Sequence, residues 1–293
     1  MICAPLAHRS SVGLPLGLPF CLRLVLAAAL LLLAACSPGS SSAPSASSSD
    51  GGARHVVRPT PNVGFDYQIG GAYRPPAGVR AVSRDRGAAP AKGLYNVCYV
   101  NAFQAQPDAL RRWQRDDPDL LLRDAHGKLV IDEDWDEALF DISTHAKRTR
   151  LATIVGRWVD GCADDGFQAV EPDNLDSYAR SHGLLDAADA AAFARLVAER
   201  AHAAGLAVGQ KNTTDLLPKR AAIGFDFAVA EECGRYDECG AYAAAYGGRV
   251  FAVEYRSADF ARACRAWGKR LSIVLRDMDV RPAEAKGYVR RAC

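Results

Sequence analysis

The stretch GFQAVEPDNLDSYARSHGLLDAADAAAFARLVAERAHAAGLAVGQ, residues 166–210, decides the fold. Phe167-Gln168-Ala169-Val170-Glu171 is a short apolar run, and Pro172 is expected to stop it. Asp186 then stands where a helix cap belongs. Phe193, Leu196, Val197, Ala201 and Ala204 follow at helical spacing on one face. Gly205 ends the helix, and Leu206-Ala207-Val208-Gly209-Gln210 reads as a second strand. Strand, helix and parallel strand make one βαβ crossover.

The same rhythm extends both ways. Phe65–Ile69, Val79–Ser83 and Leu94–Val100 read as strands upstream; Phe225–Ala230, Val250–Glu254 and Leu271–Leu275 read as strands downstream. Leu151, Ile154, Val155, Trp158, Val159 and Cys162 make a helical stripe that Gly166 closes. Ser257 can cap a helix through Phe260, Cys264 and Trp267, and Pro282 can open a last one toward Cys293. Eight parallel strands in one domain over residues 58–293 predict an α/β fold, a (β/α)8 barrel of the TIM type. The open doubly wound sheet is the alternative, but no glycine-rich phosphate loop follows the first strand. Leu120–Arg123 and Lys128–Ile131 flank Asp124-Ala125-His126-Gly127, which predicts a small hairpin inserted after strand three, with Trp135, Glu137 and Asp141 beyond it.

The amino terminus reads as an address. Residues 24–35, LVLAAALLLLAA, are too short to span a bilayer, which needs about 20 apolar residues. Arg9 and Arg23 precede them, as in a secretory leader over residues 1–35. Leu33-Ala34-Ala35-Cys36 resembles the bacterial lipobox, with Cys36 the lipidated residue. Residues 36–57 are rich in Ser, Gly and Pro and form a flexible tether. An exported protein, lipid-anchored to the outer membrane or cell surface, is the expected localisation.

Composition agrees. The chain of 293 residues is 49% hydrophobic and 24% charged, with a formal charge of +2. Removing Arg9 and Arg23 with the leader leaves a neutral body, which argues against nucleic acid as a partner. Past Cys36 six cysteines remain, an even number suited to disulfides in an oxidising compartment. Cys233 and Cys239 can close a small loop, Cys264 and Cys293 can pin the carboxyl terminus, and Cys98 with Cys162 is the remaining pair. No ligand spacing points to a metal. No cofactor is expected, and the body is expected to be a monomer.

In a barrel of this kind, chemistry sits at the carboxyl ends of strands. Those positions hold Asp66, Tyr67 and Gln68; Tyr99; Glu171, Asp173, Asn174 and Asp176; Lys211 and Asn212; Glu231 and Glu232; Tyr255; and Asp277 with Asp279. Charges abutting apolar runs are costly unless paired or used. Two carboxylates flanking a bond are the minimum equipment for glycoside hydrolysis, one protonating the leaving oxygen while the other attacks or activates water. Residue patterning alone does not choose among the acids at each strand end.

The chain resembles glycoside hydrolase family 114, the endo-α-1,4-polygalactosaminidases, over roughly residues 63–290. The resemblance is carried by Phe65-Asp66-Tyr67-Gln68, Cys98-Tyr99, the run from Trp135 to Ile142, the run from Gly166 to Asp176, Lys211-Asn212, and Glu231-Glu232-Cys233 with Tyr236 and Cys239. It implies cleavage of α-1,4-linked galactosamine polymers, with the catalytic pair falling on Asp173 and Glu231 and Glu232 as competitor for the second place. Asp66, Tyr99, Glu171, Asn174, Asp176, Lys211, Asn212, Glu232, Tyr255 and Asp277 are expected to bind the cationic polysaccharide. A glycan-binding lipoprotein without turnover, and a glycosidase of other sugar specificity, are the alternatives.

Overall fold

The computed structural model describes residues 55–293. The leader, Cys36 and the tether as far as residue 54 lie outside the described residues. The chain forms β1 (Gly64–Gln68), β2 (Val79–Asp85) and β3 (Tyr95–Asn101), then the short strands β4 (Gln104–Ala105), β5 (Ile131–Asp132) and β6 (Glu137–Leu139). It continues through β7 (Ala169–Asp173), β8 (Ala207–Lys211), β9 (Phe227–Glu231), β10 (Val250–Glu254), β11 (Ser272–Arg276) and β12 (Arg290–Ala292). Helices α1 (Leu110–Asp116), α2 (His145–Asp164), α3 (Ala187–Ala203), α4 (Arg220–Ile223), α5 (Cys239–Tyr246) and α6 (Ser257–Trp267) lie between them. β1, β2, β3 and β7 to β11 pair in parallel in that order, which makes the eight-stranded α/β barrel.

Strand alternation builds two cores. Phe65, Val97, Ala169, Phe227, Val229, Phe251 and Val274 fill the barrel. Phe65 stacks on Phe251 with ring centroids 4.3 Å apart. Gly209 leaves room for the Phe227 ring, which a Cβ there would meet at 2.8 Å. The opposite faces, with Cys98, Val170, Val208, Ala228 and Leu275, pack outward against the helices. Cys98 is joined to Cys162 of α2, Cys233 to Cys239 and Cys264 to Cys293. Asp186 caps α3 by accepting from the backbone N–H groups of Ala188 and Asp189.

The structure departs from the expected elements in four places. Pro172 does not stop β7 but lies inside it, opposite Val100 of β3. The ladder from β7 to β8 ends at Val170–Val208, so beyond that point no N–H is required on that side. No helix joins β1 to β2 or β2 to β3. The outward faces there carry a buried polar network instead of an apolar layer. Arg84 donates to Gln68 and to the carbonyls of Tyr73 and Ala89, while Gln68 and Tyr73 donate to Asp66. Ser257 begins α6 without capping it by its side chain. The helix expected after Pro282 is replaced by β12, antiparallel to β11. β1 shares no ladder with β11. Arg290 of β12 crosses that seam, donating to the Phe65 carbonyl at 3.0 Å and pairing with Asp66 at 2.9 Å.

The insertion forms the antiparallel sheet β4-β6-β5. Ahead of β5, Asp124 N–H donates to the Lys128 carbonyl and Val130 N–H to the Leu122 carbonyl across the turn at residues 124–127.

Candidate active site

Along each strand the inward-facing residues change from apolar to polar. In β7 they run Ala169, Glu171, Asp173; in β8 Ala207, Gly209, Lys211; in β9 Phe227, Val229, Glu231. β3 contributes Tyr99, and Tyr255 follows β10. One end of the barrel is therefore polar because the sequence places a polar residue at the last inward position of β3, β7, β8 and β9, with Tyr255 just beyond β10. Asn174, Asn212 and Glu232, which directly follow Asp173, Lys211 and Glu231, adopt left-handed backbone at φ 63°, 47° and 55°. Each strand thus ends in a sharp turn at the residue after the functional one. Asparagine accepts that conformation readily; glutamate does so at a strain of about 1–3 kcal/mol.

Lys211 holds the centre. It is 2% exposed, and its Nζ lies 3.0 Å from Asp173 Oδ1, 3.3 Å from Glu231 Oε2 and 3.2 Å from Glu171 Oε1. Nζ also donates to the Tyr67 hydroxyl at 3.1 Å. Burial alone would lower the lysine pKa, but Asp173, Glu231, Tyr67 and Glu171 hold it well above its ordinary value. Tyr99 OH donates to Asp173 Oδ2 at 2.7 Å, and the Asn174 N–H donates to Oδ1 at 2.8 Å. Burial pushes the Asp173 carboxyl up. The Lys211 charge and these donors outweigh it and leave the pKa below the ordinary value. Glu231 accepts from Tyr255 OH and from Asn212 Nδ2, and Asn212 Oδ1 accepts the Glu231 N–H at 2.8 Å.

Asp173, Glu231, Tyr99, Asn174, Asp176, Lys211, Asn212 and Tyr255 line one cavity of about 360 Å³. A second cavity of about 480 Å³ adjoins it and shares Glu231, Tyr255, Asn212, Asp176, Trp135 and Met278. Glu232 lines the second cavity but is held by Arg235 at 2.8 Å and makes no contact with Lys211. Trp135 and Tyr236 are 58% and 57% exposed at the rim, faces on which sugar rings can stack.

Three expected substrate-binding residues lie elsewhere. Asp66 alternates with Phe65 and Tyr67, so it faces out of the barrel and is consumed by Gln68, Tyr73 and Arg290. Glu171 shares the inward face of Asp173 but sits one step deeper. It is fully buried, accepts from Tyr67 and Ser83, and braces Lys211 from below. Asp277 is engaged by Arg281 and by the N–H of Val289. Glu137 and Arg180 are among the cavity residues that had no role assigned from sequence. Glu137 of β6 accepts from Asn101 Nδ2 at 2.7 Å and Asn174 Nδ2 at 3.3 Å. Arg180 binds Asp132 and Asp176 at the lip. Glu137 belongs to the run after the inserted turn, and its acidity beside Trp135 was the available signal.

Cys233, Cys239 and Glu254 form one metal-sized cluster among the described residues, but both sulfurs are spent on their disulfide. Glu254 faces away from the cavity beside Tyr255. Its Oε1 accepts the Gly234 N–H at 2.6 Å, and its Oε2 is buried without a hydrogen-bond partner among the described residues. Burial, with Asp259 and Glu232 adding, pushes its pKa up from 4.5 to about 7. A raised carboxyl takes up a proton on folding, so its contribution favours the native state at low pH and is lost as pH rises from 4.5 to about 7. Glu254→Gln keeps the acceptor for Gly234 and removes this dependence. The difference in melting temperature, variant minus native, is expected to grow as pH rises through that window; a flat difference refutes the assignment.

A parallel α/β barrel gathering carboxylates at its strand ends, beneath an open groove with aromatic rims, defines the class of a barrel glycosidase. The particular family follows from comparison with known proteins. The profile of glycoside-hydrolase family GH114 matches residues 46–293, and the chain belongs to that family. It is a glycoside hydrolase. Among solved structures it is similar to Ega3 of Aspergillus fumigatus in complex with galactosamine, at 24% identity and a TM-score of 0.65. That likeness covers 82% of this chain and 98% of the other. The glycoside hydrolase domain of PelA from Pseudomonas aeruginosa is similar at 16% identity and a TM-score of 0.53, covering 78% and 97%. No curated protein sequence matches.

Proposed function

We propose that this enzyme hydrolyses α-1,4-linked galactosamine polymers within the chain, using Asp173 and Glu231. The observation that carries the reading is the convergence of these two side chains, from β7 and β9, on one buried ammonium at the floor of an open groove. Both carboxylates reach the same Lys211 Nζ, at 3.0 Å and 3.3 Å, and a pair held this close suits a retaining mechanism. Asp173, held ionised, is the nucleophile. Glu231 is the acid that protonates the leaving oxygen and, as its carboxylate, deprotonates the water that releases the product. The space continues on both sides of Glu231, which suits attack inside a polymer. A galactosamine-bound relative of the same fold supports the sugar. Three disulfides suit an exported enzyme tethered through acylated Cys36.

Incubation with de-N-acetylated α-1,4-galactosamine polymer is expected to release oligosaccharides, read by mass spectrometry. The first product seen by NMR should keep the α configuration. Binding of the polymer by folded protein with no release over a day makes the chain a glycan-binding protein and removes this reading.

A further inference from the structure

The proposed sugar differs from a neutral hexose by one ammonium group, and the cavity contains a carboxylate arranged to meet it. Glu137 is only 9% exposed and lines the cavity beside Asp173. Its Oε2 is taken by Asn101 and Asn174, while its Oε1 has no hydrogen-bond partner among the described residues. Glu137 forms no ion pair among the described residues. The nearby guanidinium of Arg180 is committed to Asp132 at 2.6 Å, to Asp176 at 2.9 Å and to the Asn174 side-chain oxygen at 3.2 Å.

The other cavity carboxylates differ. Asp173 and Glu231 share Lys211, Asp176 has Arg180, and Asp279 has Arg281. Asp85 is only partly buried and is turned to the Gly87 N–H. A buried carboxylate without a cation is costly. The cost is visible here: burial, together with Asp173 and Asp132, raises the Glu137 pKa against the opposing pull of Asn101 and Arg180. The group is also positioned with care. β6 is the middle strand of the inserted sheet, and Asn101 and Asn174 come from the ends of β3 and β7. Two side-chain amides clamp one oxygen and leave the other without a hydrogen-bond partner among the described residues.

We infer that Glu137 is the specificity-determining residue that receives the ammonium of the amino sugar, through Oε1, next to the Asp173–Glu231 pair. This rests on the galactosamine reading above and deepens it. The bound ammonium supplies the cation the site lacks. An N-acetyl group carries no charge and adds bulk at the same place, so Glu137 also selects for de-N-acetylated polymer. The inserted sheet thereby acquires a function: it brings to the barrel end a carboxylate that lines the same cavity as Asp173.

The test uses Glu137→Gln, whose amide oxygen still accepts from Asn101 and Asn174 while its NH2 group takes the place of Oε1. Affinities for galactosamine and N-acetylgalactosamine, which cannot be hydrolysed, are measured by NMR titration below the pKa of the sugar amine. The variant is expected to lose at least about tenfold in galactosamine affinity, the scale of a charge-assisted hydrogen bond, with N-acetylgalactosamine changed less than about threefold. Equal loss for both sugars, unchanged galactosamine affinity, or loss of the cooperative thermal transition would each overturn the inference. Wild-type protein that prefers galactosamine through Glu137 yet releases nothing from polymer leaves the inference standing and sinks the hydrolase assignment to this substrate, so the two fail separately.

Discussion

Asp173→Asn is expected to abolish polymer cleavage, with kcat lower by a factor on the order of 10^4 to 10^6, in a protein that still folds. Asparagine keeps an oxygen for Tyr99 or the Asn174 N–H but cannot form the glycosyl ester, and it leaves Lys211 with one carboxylate fewer. Glu231→Gln is expected to lose about 10^2 to 10^4, the range for removing a general acid. The two roles separate by leaving group. An aryl α-galactosaminide departs as a phenolate that needs little protonation, so Glu231→Gln should recover most of its first step on that substrate. Asp173→Asn should recover none. Azide gives a second reading. In a small-residue Glu231 variant it attacks the glycosyl-enzyme and yields the α-azide; in an Asp173→Gly variant it attacks the sugar directly and yields the β-azide. Reversed azide products would exchange the roles. Full activity in both variants would remove the pair from the chemistry.

Much of this arrangement was legible in the residues. Apolar runs ending in acids marked the strand ends, and the helical stripe after Asp186 identified one crossover from which the rest followed. The resemblance then chose Asp173 and Glu231, and alternation along β9 shows what distinguishes Glu231 from Glu232: only Glu231 continues the inward series from Phe227 and Val229. The illegible part is geometrical. Periodicity assigns a face but not a height, so Glu171 and Asp173 read as equivalent although one lies beneath Lys211 and the other faces the cavity. Asp66 read as a strand-end acid because nothing local announces that β1 and β2 lack covering helices, which turns their outward face into a polar network. Pro172 read as a stop because its cost depends on whether a neighbouring strand needs its N–H, a tertiary fact. Glu137 had no assigned role because its position depends on how the inserted sheet folds back over the barrel end.

Lys211→Met is expected to cost more than any other single change away from the apolar core. Methionine matches the length of the aliphatic stem, so the loss is electrostatic. Three carboxylates, Glu171, Asp173 and Glu231, then face one another without the ammonium. Breaking a buried ion pair by removing one partner costs about 3–5 kcal/mol, and here three acids lose their partner together. The pH dependence identifies the cause. In the native protein the Asp173 pKa is depressed, so its stabilising contribution is present above the unfolded value of 3.8 and is lost as pH falls through the folded value. In the variant Glu171 and Asp173 lose the ammonium that opposes the effect of their burial, so their pKa values rise, protonation relieves the strain and stability improves on acidification. The gap in urea midpoint between native and variant protein should therefore be widest near neutral pH and narrow toward about pH 4. Adding Glu171→Gln should recover part of the neutral-pH loss, because it removes one repelling charge at a buried position that lies outside the cavity lining, and it should restore no turnover. A gap that stays constant across pH would mean that Lys211 holds the site by packing, and the electrostatic account of how Asp173 is kept ionised would have to be abandoned.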